Sequence, residues 1–266
     1  MIFELSNASF SFSGNGENGF VFDDVSFSCE SGQIVGILGC NGVGKTTLLK
    51  CITNLLPLSK GVAKLNDEDV KRIPSRVLWQ RVSYVPQIRE FVSSCSVEEM
   101  ILLGRTPLIN CLSVPKDEDY KAVDEVIELL GLEKIRLRSC REISGGELQL
   151  ALIARALVSN PEVLILDEPE SNLDFYNQLL VLEKIVFLAK ERGLVCIFNT
   201  HYPEHALRFA NKSLILGKDC SWVFGNSQDV VSCENIEKYF NVKTFIGNVN
   251  YESRDYSYIV PIDKSF

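Results

Sequence analysis

Three glycines, a lysine and two threonines are crowded into the sequence GCNGVGKTT, directly after the apolar run QIVGIL. The sequence fits the pattern G-x-x-x-x-G-K-[ST], in which glycines let backbone N–H groups approach a phosphate and a helix N-terminus adds its dipole. Lys45 is then expected to reach the β- and γ-phosphates of a nucleotide, and the hydroxyl of Thr46 to hold Mg²⁺. The alternative is a glycine turn that merely joins a strand to a helix. The predicted nucleotide-binding residues are Gly39, Cys40, Asn41, Gly42, Val43, Gly44, Lys45, Thr46 and Thr47.

Two neighbouring carboxylates, Asp167 and Glu168, end the apolar run in VLILDEP. In a parallel sheet they are expected at the carboxyl end of a buried strand, beside the phosphate loop. Asp167 suits binding of Mg²⁺ through an intervening ligand, and Glu168 suits positioning and deprotonating the water that attacks a phosphate. The alternative is an ordinary strand end with two solvated acids.

A second glycine-rich helix start lies in the sequence ISGGELQLALIARAL. Ser144 and Glu147 have the spacing of a capping box, which predicts that a helix begins here. A capping box does not explain Gly145 and Gly146, which cost about 1 kcal/mol each relative to alanine in a first turn. Close approach of the backbone to an anion explains them, so the sequence predicts a second helix N-terminus that binds phosphate.

These residues need strands and helices to position them, and the order of patterns indicates an α/β chain. Residues 1–35 alternate apolar and polar side chains around GNGENG at 14–19, which predicts antiparallel strands joined by a turn. The apolar runs 163–166 and GLVCIFNTH show little alternation and suit strands that are covered on both faces of a parallel sheet.

Between the strands lies a stretch with helical patterns. Ser96 and Glu99 form a predicted capping box, and an apolar stripe with helical spacing ends at Gly131. The sequence therefore predicts an inserted group of helices. The residues of the stripe are Val123, Val126, Ile127 and Leu130.

Composition limits the classes of function. The 266 residues are 46% hydrophobic and 23% charged, as in a globular protein with a sizeable core. No apolar run reaches the length of a transmembrane helix and MIFELSNASF lacks the features of a signal peptide, so a cytosolic location is predicted. A net charge of −8 argues against a nucleic-acid or anionic-membrane surface. Any link to a membrane is therefore expected to run through a protein partner.

The nine cysteines are odd in number, scattered and never spaced as C-x-x-C. This pattern disfavours zinc or cluster ligation and favours reduced thiols that pack as small apolar side chains. Cys40 lies inside the phosphate loop, where a role as a redox switch is the alternative.

Taken together, GCNGVGKT, SGGE and LILDEP resemble the motifs of the ATP-binding-cassette (ABC) ATPases, over about residues 1–215. The resemblance implies an α/β fold, namely a P-loop NTPase core with an antiparallel β subdomain and an inserted helical subdomain. It implies an ATPase domain over 1–217, with the helical insertion at about 88–160, and a short C-terminal extension over 218–266 packed on the same domain. ATP and Mg²⁺ are the implied cofactors.

The resemblance also implies a dimer in which two copies face head to tail, with ATP between the loop of one copy and the SGGE signature of the other. The signature residues would then act in trans. Ser171 and Asp174, in ESNLD, resemble the loop that crosses the dimer interface. The implied signature residues are Ser144, Gly145, Gly146 and Glu147.

Further site residues follow from the resemblance, position by position. Gln87, in YVPQ, matches a glutamine that senses the γ-phosphate and Mg²⁺, and His201, in FNTH, matches a histidine that contacts the γ-phosphate. Phe12 stands where a tyrosine usually stacks on adenine, although a core role beside Phe10 remains open. His205 is expected on a helix surface. The implied catalytic residues are Glu168, His201 and Gln87, and the implied metal-binding residues are Thr46, Gln87 and Asp167.

The sequence departs from the usual family pattern at a few positions. Ile143 replaces a usual leucine, Leu148 a common basic residue and Glu170 a usual threonine or serine, while Glu147 stands where Gln or Glu occurs. None of these changes removes a group that touches phosphate, so they leave the implied ATPase activity intact.

Three classes of function remain open at this point. The favoured one is the ATP-hydrolysing subunit of a membrane importer, which pairs with permease subunits. A soluble ABC ATPase, such as one for iron–sulfur cluster assembly, is the alternative. A cassette that acts on DNA or the ribosome is disfavoured, because the chain lacks the long coiled-coil insert, the zinc cysteines and the second cassette of those groups.

The insertion bears on the cargo. LLGRTPLINCL and DEDYKAVDEVIELLGL resemble the insertion of cassettes that power uptake of iron chelates, haem and cobalamin, with other importers left open. The Gly104–Pro107 segment is expected to shape a groove for a permease helix, so a substrate-binding protein would be an indirect partner. GRTP also fits a helix C-terminus that glycine and proline bring to an end. This interpretation is compatible with the groove.

Overall fold

The computed structural model describes residues 1–13, 19–87, 94–109 and 113–265. These residues form two compact units, one made of Met1–Arg72 with Val195–Phe266 and the other of Ile73–Leu194. Three parts of the sequence predictions lie outside the described residues, namely most of the GNGENG turn, the first residues of the helical insertion and the last three residues of LLGRTPLINCL.

The first unit contains an antiparallel sheet in the order β2-β1-β4-β5. The pattern along β2 alternates between buried and less buried residues, because successive side chains of a strand point to opposite faces. Phe3 and Leu5 of β1 lie on the buried face. The strands are β1 (Ile2–Phe10), β2 (Phe22–Glu30), β4 (Lys60–Leu65) and β5 (Glu68–Asp69).

A second group of strands in the same unit carries the phosphate-loop region. β3 (Ile34–Leu38) pairs in parallel with β8 (Val195–Asn199) on one side and β9 (Lys212–Leu216) on the other, and β10 (Trp222–Asn226) pairs antiparallel with β9. All residues of β3 and β8 are buried, as the low alternation of their sequences predicts. Helix α1 (Lys45–Ile52) begins after the loop that follows β3.

The residues after 218 have structure of their own. They form β10, two helices and a long hairpin, and Ile246 and Ile259 of the hairpin pack on an apolar cluster that includes Leu38 of β3 and Ile236. The helices are α8 (Ser227–Val230) and α9 (Cys233–Phe240), and the hairpin consists of β11 (Val242–Tyr251) and β12 (Arg254–Lys264). A further helix of this unit, α7 (Pro203–Phe209), precedes β9.

His205 of α7 corrects one expectation. Its side chain is buried, with 9% of its surface exposed, and its ring packs near the rings of Tyr202 and Phe209. The prediction of a helix-surface position is therefore wrong. The reason is that α7 packs against both β3 and β12, which leaves little of so short a helix exposed.

The second unit combines a parallel strand pair with the predicted helices. β6 pairs in parallel with β7, and α5 packs against α3, α4 and α6. The elements are α2 (Ser75–Arg81), β6 (Val82–Val85), α3 (Val97–Leu102), α4 (Asp117–Leu130), α5 (Gly145–Leu157), β7 (Val163–Asp167) and α6 (Phe175–Arg192).

The helix boundaries in this unit follow local chemistry. Both predicted capping boxes are present, at Ser96 with Glu99 and at Ser144 with Glu147. The apolar stripe of α4 is buried, and Gly131 ends the helix in the left-handed conformation with a φ of 73°. Among the described residues, no helix is both long and apolar enough to cross a membrane.

Candidate nucleotide-binding site

The loop between β3 and α1 requires glycine at two positions for steric reasons. Gly39 has a φ of 144°, and a Cβ there would lie 2.6 Å from the carbonyl oxygen of Leu216. Gly44, which precedes the first residue of α1, has a φ of 100°, and a Cβ there would lie 2.5 Å from Val21 Cγ1. Since side chains other than glycine rarely adopt these conformations, both glycines are needed for the shape of the loop.

The loop surrounds a buried ammonium group. Lys45 is 5% exposed, and its Nζ donates hydrogen bonds to the carbonyl oxygens of Gly39 at 2.7 Å and Cys40 at 3.3 Å. Thr46 and Thr47 follow it in the first turn of α1 and are half-buried. A buried cation, a helix N-terminus and a glycine loop are together suited to bind phosphate groups.

The remaining residues of the loop differ in surroundings. Asn41 and Gly42 are exposed and Val43 is buried. The thiol of Cys40 donates to the carbonyl oxygen of Tyr239 in α9 at 3.4 Å, so the phosphate loop and the C-terminal part of the chain are in contact.

Two further predicted site residues, His201 and Phe12, belong to the same unit as the phosphate loop. His201 follows β8, and the N–H of the adjacent Thr200 donates to the carbonyl oxygen of Ile37 at 3.0 Å, so His201 lies at the same sheet edge as the phosphate loop. Phe12 is 78% exposed, and its ring meets that of Phe10 edge to face at 5.1 Å. Phe12 is therefore outside the core, with a ring face available for contact.

In the second unit, the structure brings Gln87 and Glu168 together. Gln87 follows β6, and its Nε2 donates to Glu168 Oε2 at 2.7 Å and lies 3.5 Å from the Ser171 hydroxyl oxygen. Glu168 has a φ of 48°, a left-handed conformation that is uncommon for a glutamate. Backbone strain of this kind concentrates at functional sites, where it sets the direction of a side chain.

Tyr84 is a neighbour of Asp167 that sequence patterns did not point to. Its hydroxyl donates to Asp167 Oδ2 at 2.9 Å, and Asp167 is 4% exposed. Burial and the Asp167 carboxylate raise the pKa of Tyr84 well above its ordinary value, so Tyr84 remains a hydrogen-bond donor at neutral pH. Tyr84 pairs with Ile165 across the parallel strands, and no sequence spacing could have indicated this contact.

The SGGE segment forms the first turn of α5. Ser144 N–H donates to Glu147 Oε2 at 2.8 Å, and Glu147 N–H donates to the Ser144 hydroxyl at 3.3 Å. Donation from the Ser144 N–H and hydroxyl lowers the pKa of the Glu147 carboxyl, so Glu147 is a carboxylate that caps its own helix. Ser144 and Gly145 are exposed, whereas Gly146 is buried.

Gly146 has a packing reason to be glycine. A Cβ at this position would overlap the side chain of Asn177 in α6, whereas a Cβ at Gly145 would be 3.4 Å from Leu173. Close packing of α5 on α6 thus accounts for one of the two glycines, without an anion. A Cβ at Gly145 would make no contact this close, so packing does not explain that glycine.

Ser171 and Asp174 lie between β7 and α6. The N–H of Ser171 donates to the carbonyl oxygen of Glu168 at 3.0 Å. Asp174 caps α6, because its Oδ1 accepts from the N–H of Asn177 at 2.8 Å. Each residue therefore has a local structural role.

The predicted site residues thus form two sets, one in each unit. Among the residues that the structure describes, no group of three or more His, Cys, Asp or Glu side chains could by itself hold a metal ion. The first set is Phe12, His201 and the loop from Gly39 to Thr47, and the second is Gln87, Asp167, Glu168, Ser171, Asp174 and the segment from Ser144 to Glu147.

Comparisons with known proteins agree with this chemistry. Residues 22–171 match the family described as ABC transporter. The chain is 31% identical to the molybdate import ATP-binding protein MolC of Haemophilus influenzae, over 92% of each chain. It is 34% identical to a probable iron chelatin transport ATP-binding protein of Helicobacter pylori, over 81% of this chain and 84% of the relative. It also superimposes on a solved structure described as an inward-facing conformation of a putative metal-chelate type ABC transporter, with a TM-score of 0.87, 30% identity and 98% of each chain covered.

The chain belongs to the ABC transporter family of ATP-binding proteins. It is an ATPase coupled to transport, and it binds ATP. The α/β fold with a P-loop NTPase core, as the motifs implied, is confirmed by the likeness to solved ABC ATPase structures.

Proposed function

We propose that the chain is the ATP-hydrolysing subunit of a membrane importer for an iron-chelate, haem or cobalamin-type substrate. The observation that carries this proposal is the match to the metal-chelate type transporter over 98% of each chain, since such coverage includes the residues after 218. The iron chelatin relative supports the same class of cargo. The molybdate relative makes a metal oxyanion the second candidate.

In this proposal the phosphate loop and Lys45 bind the triphosphate of ATP, and Phe12 stacks on the adenine. The buried ammonium, the α1 N-terminus and the glycine backbone are donors that fit phosphate oxygens. Mg²⁺ supplies positive charge that offsets the charge of the phosphates. The hydroxyl of Thr46, the Gln87 side chain and the buried Asp167 carboxylate are oxygen donors of the kind that Mg²⁺ prefers.

The proposed chemistry is attack of water on the γ-phosphate. Glu168 holds and deprotonates the water, and its left-handed backbone with the hydrogen bond from Gln87 fixes the direction of the carboxylate. His201, at the sheet edge beside the phosphate loop, contacts the γ-phosphate. The Gln87 side chain contacts both Glu168 and the Ser171 hydroxyl. We therefore assign to Gln87 the role of sensing the γ-phosphate and Mg²⁺.

We propose that two copies close on ATP, with Ser144 to Glu147 of one copy facing the phosphate loop of the other. The exposure of Ser144 and Gly145 at the start of a thirteen-residue helix supports this role. Ser171 and Asp174 would lie at the interface between the copies. ATP binding favours the closed pair and hydrolysis favours the open one, which is a population shift that a permease can follow.

The permease is proposed to dock on the Gly104–Pro107 segment. α2 holds this segment, because Gln80 Nε2 and Arg76 Nε donate to the carbonyl oxygen of Pro107 at 2.8 and 2.9 Å. Beside it lies a cavity of about 280 Å³, which is large enough for side chains of a permease helix. A Cβ at Gly104 would overlap the carbonyl oxygen of Arg155, so glycine is needed for the shape of this wall. The described lining includes Trp79, Tyr84, Gly104, Thr106, Pro107 and Arg155.

The other proposed partners and the location follow from this docking. A substrate-binding protein acts through the permease, and no nucleic acid is a partner, in keeping with a net charge of −8. The protein would work at the cytoplasmic face of the membrane as a peripheral subunit. We retain 1–217 as the ATPase domain with its insertion at about 88–160, and 218–266 as an extension packed on it. The family match disfavours a non-transport role such as iron–sulfur cluster assembly.

Two experiments test the proposal at two levels. Purification of the tagged chain from detergent-solubilised membranes should recover a polytopic membrane subunit, and recovery of the chain alone would contradict the transporter role. Deletion of the gene should then reduce uptake of one labelled ferric chelate, haem or cobalamin. In a strain without a redundant transporter, unchanged uptake of all three with reduced molybdate uptake would favour the oxyanion instead.

A further inference from the structure

Two cysteines of the helical unit lie directly opposite each other. An isolated antiparallel bridge joins Ser96 and Ser139, and the N–H of Cys140 donates to the carbonyl oxygen of Cys95 at 3.0 Å. Cys95 and Cys140 therefore oppose each other next to this bridge, and antiparallel geometry places the Cα atoms of such a pair about 5.5 Å apart, with side chains on the same side. That separation lies within the range of about 4.4–6.8 Å found in disulfides.

The two thiols are neighbours. Cys140 Sγ donates to the thioether sulfur of Met100 at 3.8 Å, and the Cys95 side chain is close enough to interact with the Cys140 thiol. Cys140 is 3% exposed, and its burial, together with the neighbouring Cys95, raises its pKa to about 11. Cys140 therefore remains a protonated thiol at neutral pH.

Cys95 differs from its partner in access. It is half-buried and belongs to the wall of a cavity of about 490 Å³. The guanidinium of Arg155 lies near it. A small oxidant can thus reach Cys95 from the cavity, whereas Cys140 is buried and is not part of the described cavity lining.

Another thiol pair provides a contrast. Cys29 and Cys196 also interact electrostatically, but both have 0% of their surface exposed. Burial raises the pKa of Cys29 to about 12. Both pairs therefore bring two thiols close together. The pair Cys95 and Cys140 differs because one of its thiols can be reached from a cavity.

We propose that Cys95 and Cys140 are a redox-sensitive pair that a hydroperoxide converts to an intramolecular disulfide. The Cys95 thiolate attacks the peroxide oxygen, which breaks the O–O bond and, with one proton, gives Cys95 sulfenic acid and an alcohol or water. The Cys140 sulfur then attacks the sulfenic sulfur, loses its proton and releases water as the disulfide forms. Two thiols are oxidised and one peroxide is reduced, and a thiol reductant reverses the change.

The bond would join two segments that matter to the proposed ATPase cycle. Cys95 immediately precedes the cap of α3 and follows Gln87 along the chain, whereas Cys140 precedes the Ser144 cap of α5. Oxidation would therefore clamp the start of α3 to the segment that leads to the signature helix. This inference concerns the thiols alone and holds whatever cargo the transporter carries.

The test uses the full chain, reduced and then treated with hydrogen peroxide. Alkylation under denaturing conditions, digestion and mass spectrometry should show that Cys95 and Cys140 lose reactivity together and appear as one linked peptide pair, lighter by two hydrogen atoms. Dithiothreitol should restore both thiols. Peptides in which Cys95 is oxidised while Cys140 stays alkylatable, with no linked pair, would overturn the proposal.

Matched variants separate this pair from general oxidation. In Cys95→Ser, Cys140 should remain fully alkylatable after peroxide treatment, and in Cys140→Ala, dimedone should trap the sulfenic acid of Cys95. Cys233→Ser removes an exposed thiol elsewhere and should leave the linked pair unchanged. Loss of Cys140 alkylation in Cys95→Ser at the wild-type rate would also refute the mechanism. If Cys140→Ala does not fold, the Cys95→Ser result still decides.

Discussion

Replacing Tyr84 by phenylalanine removes one hydroxyl from beside Asp167 and conserves the ring in β6. The hydroxyl lies 2.9 Å from Asp167 Oδ2, and the carboxylate is buried. A hydrogen bond to a charged group contributes about 1.5–3 kcal/mol to folding, so we expect Tyr84→Phe to lower the free energy of unfolding by about 2 kcal/mol. If Asp167 helps to hold Mg²⁺, loss of its orienting partner should also weaken metal affinity about 10–100-fold.

Two measurements separate these effects. Urea unfolding followed by circular dichroism, without nucleotide, gives the change in the free energy of unfolding. Titration of ATPase activity with Mg²⁺ at fixed ATP gives the half-saturating metal concentration, which should rise in Tyr84→Phe. A purely structural role for the hydroxyl would lower stability and leave the metal requirement unchanged.

Tyr120→Phe is the matched control, because Tyr120 lies on α4 of the same unit with 43% of its surface exposed. Its stability and Mg²⁺ requirement should equal those of the wild type. The reasoning is refuted if Tyr84→Phe matches the wild type in both measurements, since a donor to a buried carboxylate would then contribute nothing.

Four further predictions concern the proposed site and the helical unit. Lys45→Ala should reduce steady-state ATPase activity at least about 100-fold, because it removes a positive charge from the phosphates. Glu168→Gln should slow hydrolysis about 10²–10⁴-fold while ATP still binds, and size-exclusion chromatography with ATP should show a trapped dimer. Inactive Ser144→Arg and Lys45→Ala chains should regain part of the activity when mixed, because one mixed dimer contains one intact site. Arg105→Met should lower the free energy of unfolding, measured with urea, by about 3 kcal/mol, because the buried Asp119 carboxylate loses the guanidinium that lies 2.8 Å away.

The last prediction also has a pH dependence. The N–H of Lys116 and the Arg105 guanidinium lower the pKa of the Asp119 carboxyl in the folded state. A lowered folded pKa means that the stabilisation is complete above the unfolded pKa of about 3.9 and is lost as the pH falls through the folded value. Urea midpoints should therefore fall on acidification more steeply in the wild type than in Asp119→Asn.

Each of these predictions has a result that contradicts it. Lys45→Ala activity close to wild type would remove the lysine from catalysis, and a Glu168→Gln chain that binds ATP as a monomer would argue against dimer closure. Absence of complementation in mixtures shown to form dimers would mean that Ser144 and Lys45 act in the same copy or that both sites must be intact. Equal unfolding energies for Arg105→Met and wild type would show that water replaces the guanidinium.

The sequence was most informative where the determining interactions are local. The capping boxes at Ser96 and Ser144 and the helix end at Gly131 depend on residues within one turn, and all three are present. The contact of Tyr84 with Asp167 and the packing of Gly146 on Asn177 join residues far apart in the chain, and no spacing rule reaches them.

The C-terminal hairpin was missed for a specific reason. Its turn contains Glu252 and Ser253 with φ values of 51° and 62°, a pair of left-handed residues that usually requires asparagine or glycine. Without the usual turn residues, the two strands gave no hairpin signal. The surroundings of His205 were also misjudged, because helical spacing does not show how many neighbours will cover a short helix.

The order in which the chain is synthesised bears on the assembly of the phosphate-binding half. Ile73–Leu194 is continuous, so its internal contacts can form once it has left the ribosome, whereas β3 must wait for β8 and β9, which come from residues after 194. Throughout that interval the wholly apolar β3 has neither of its sheet neighbours, and exposed strands of this kind are prone to aggregate. Lys45, which would bind ATP, is therefore synthesised early but positioned late. A nascent chain released before residue 195 would contain the nucleotide-binding motif without β8 and β9, the strands that flank β3.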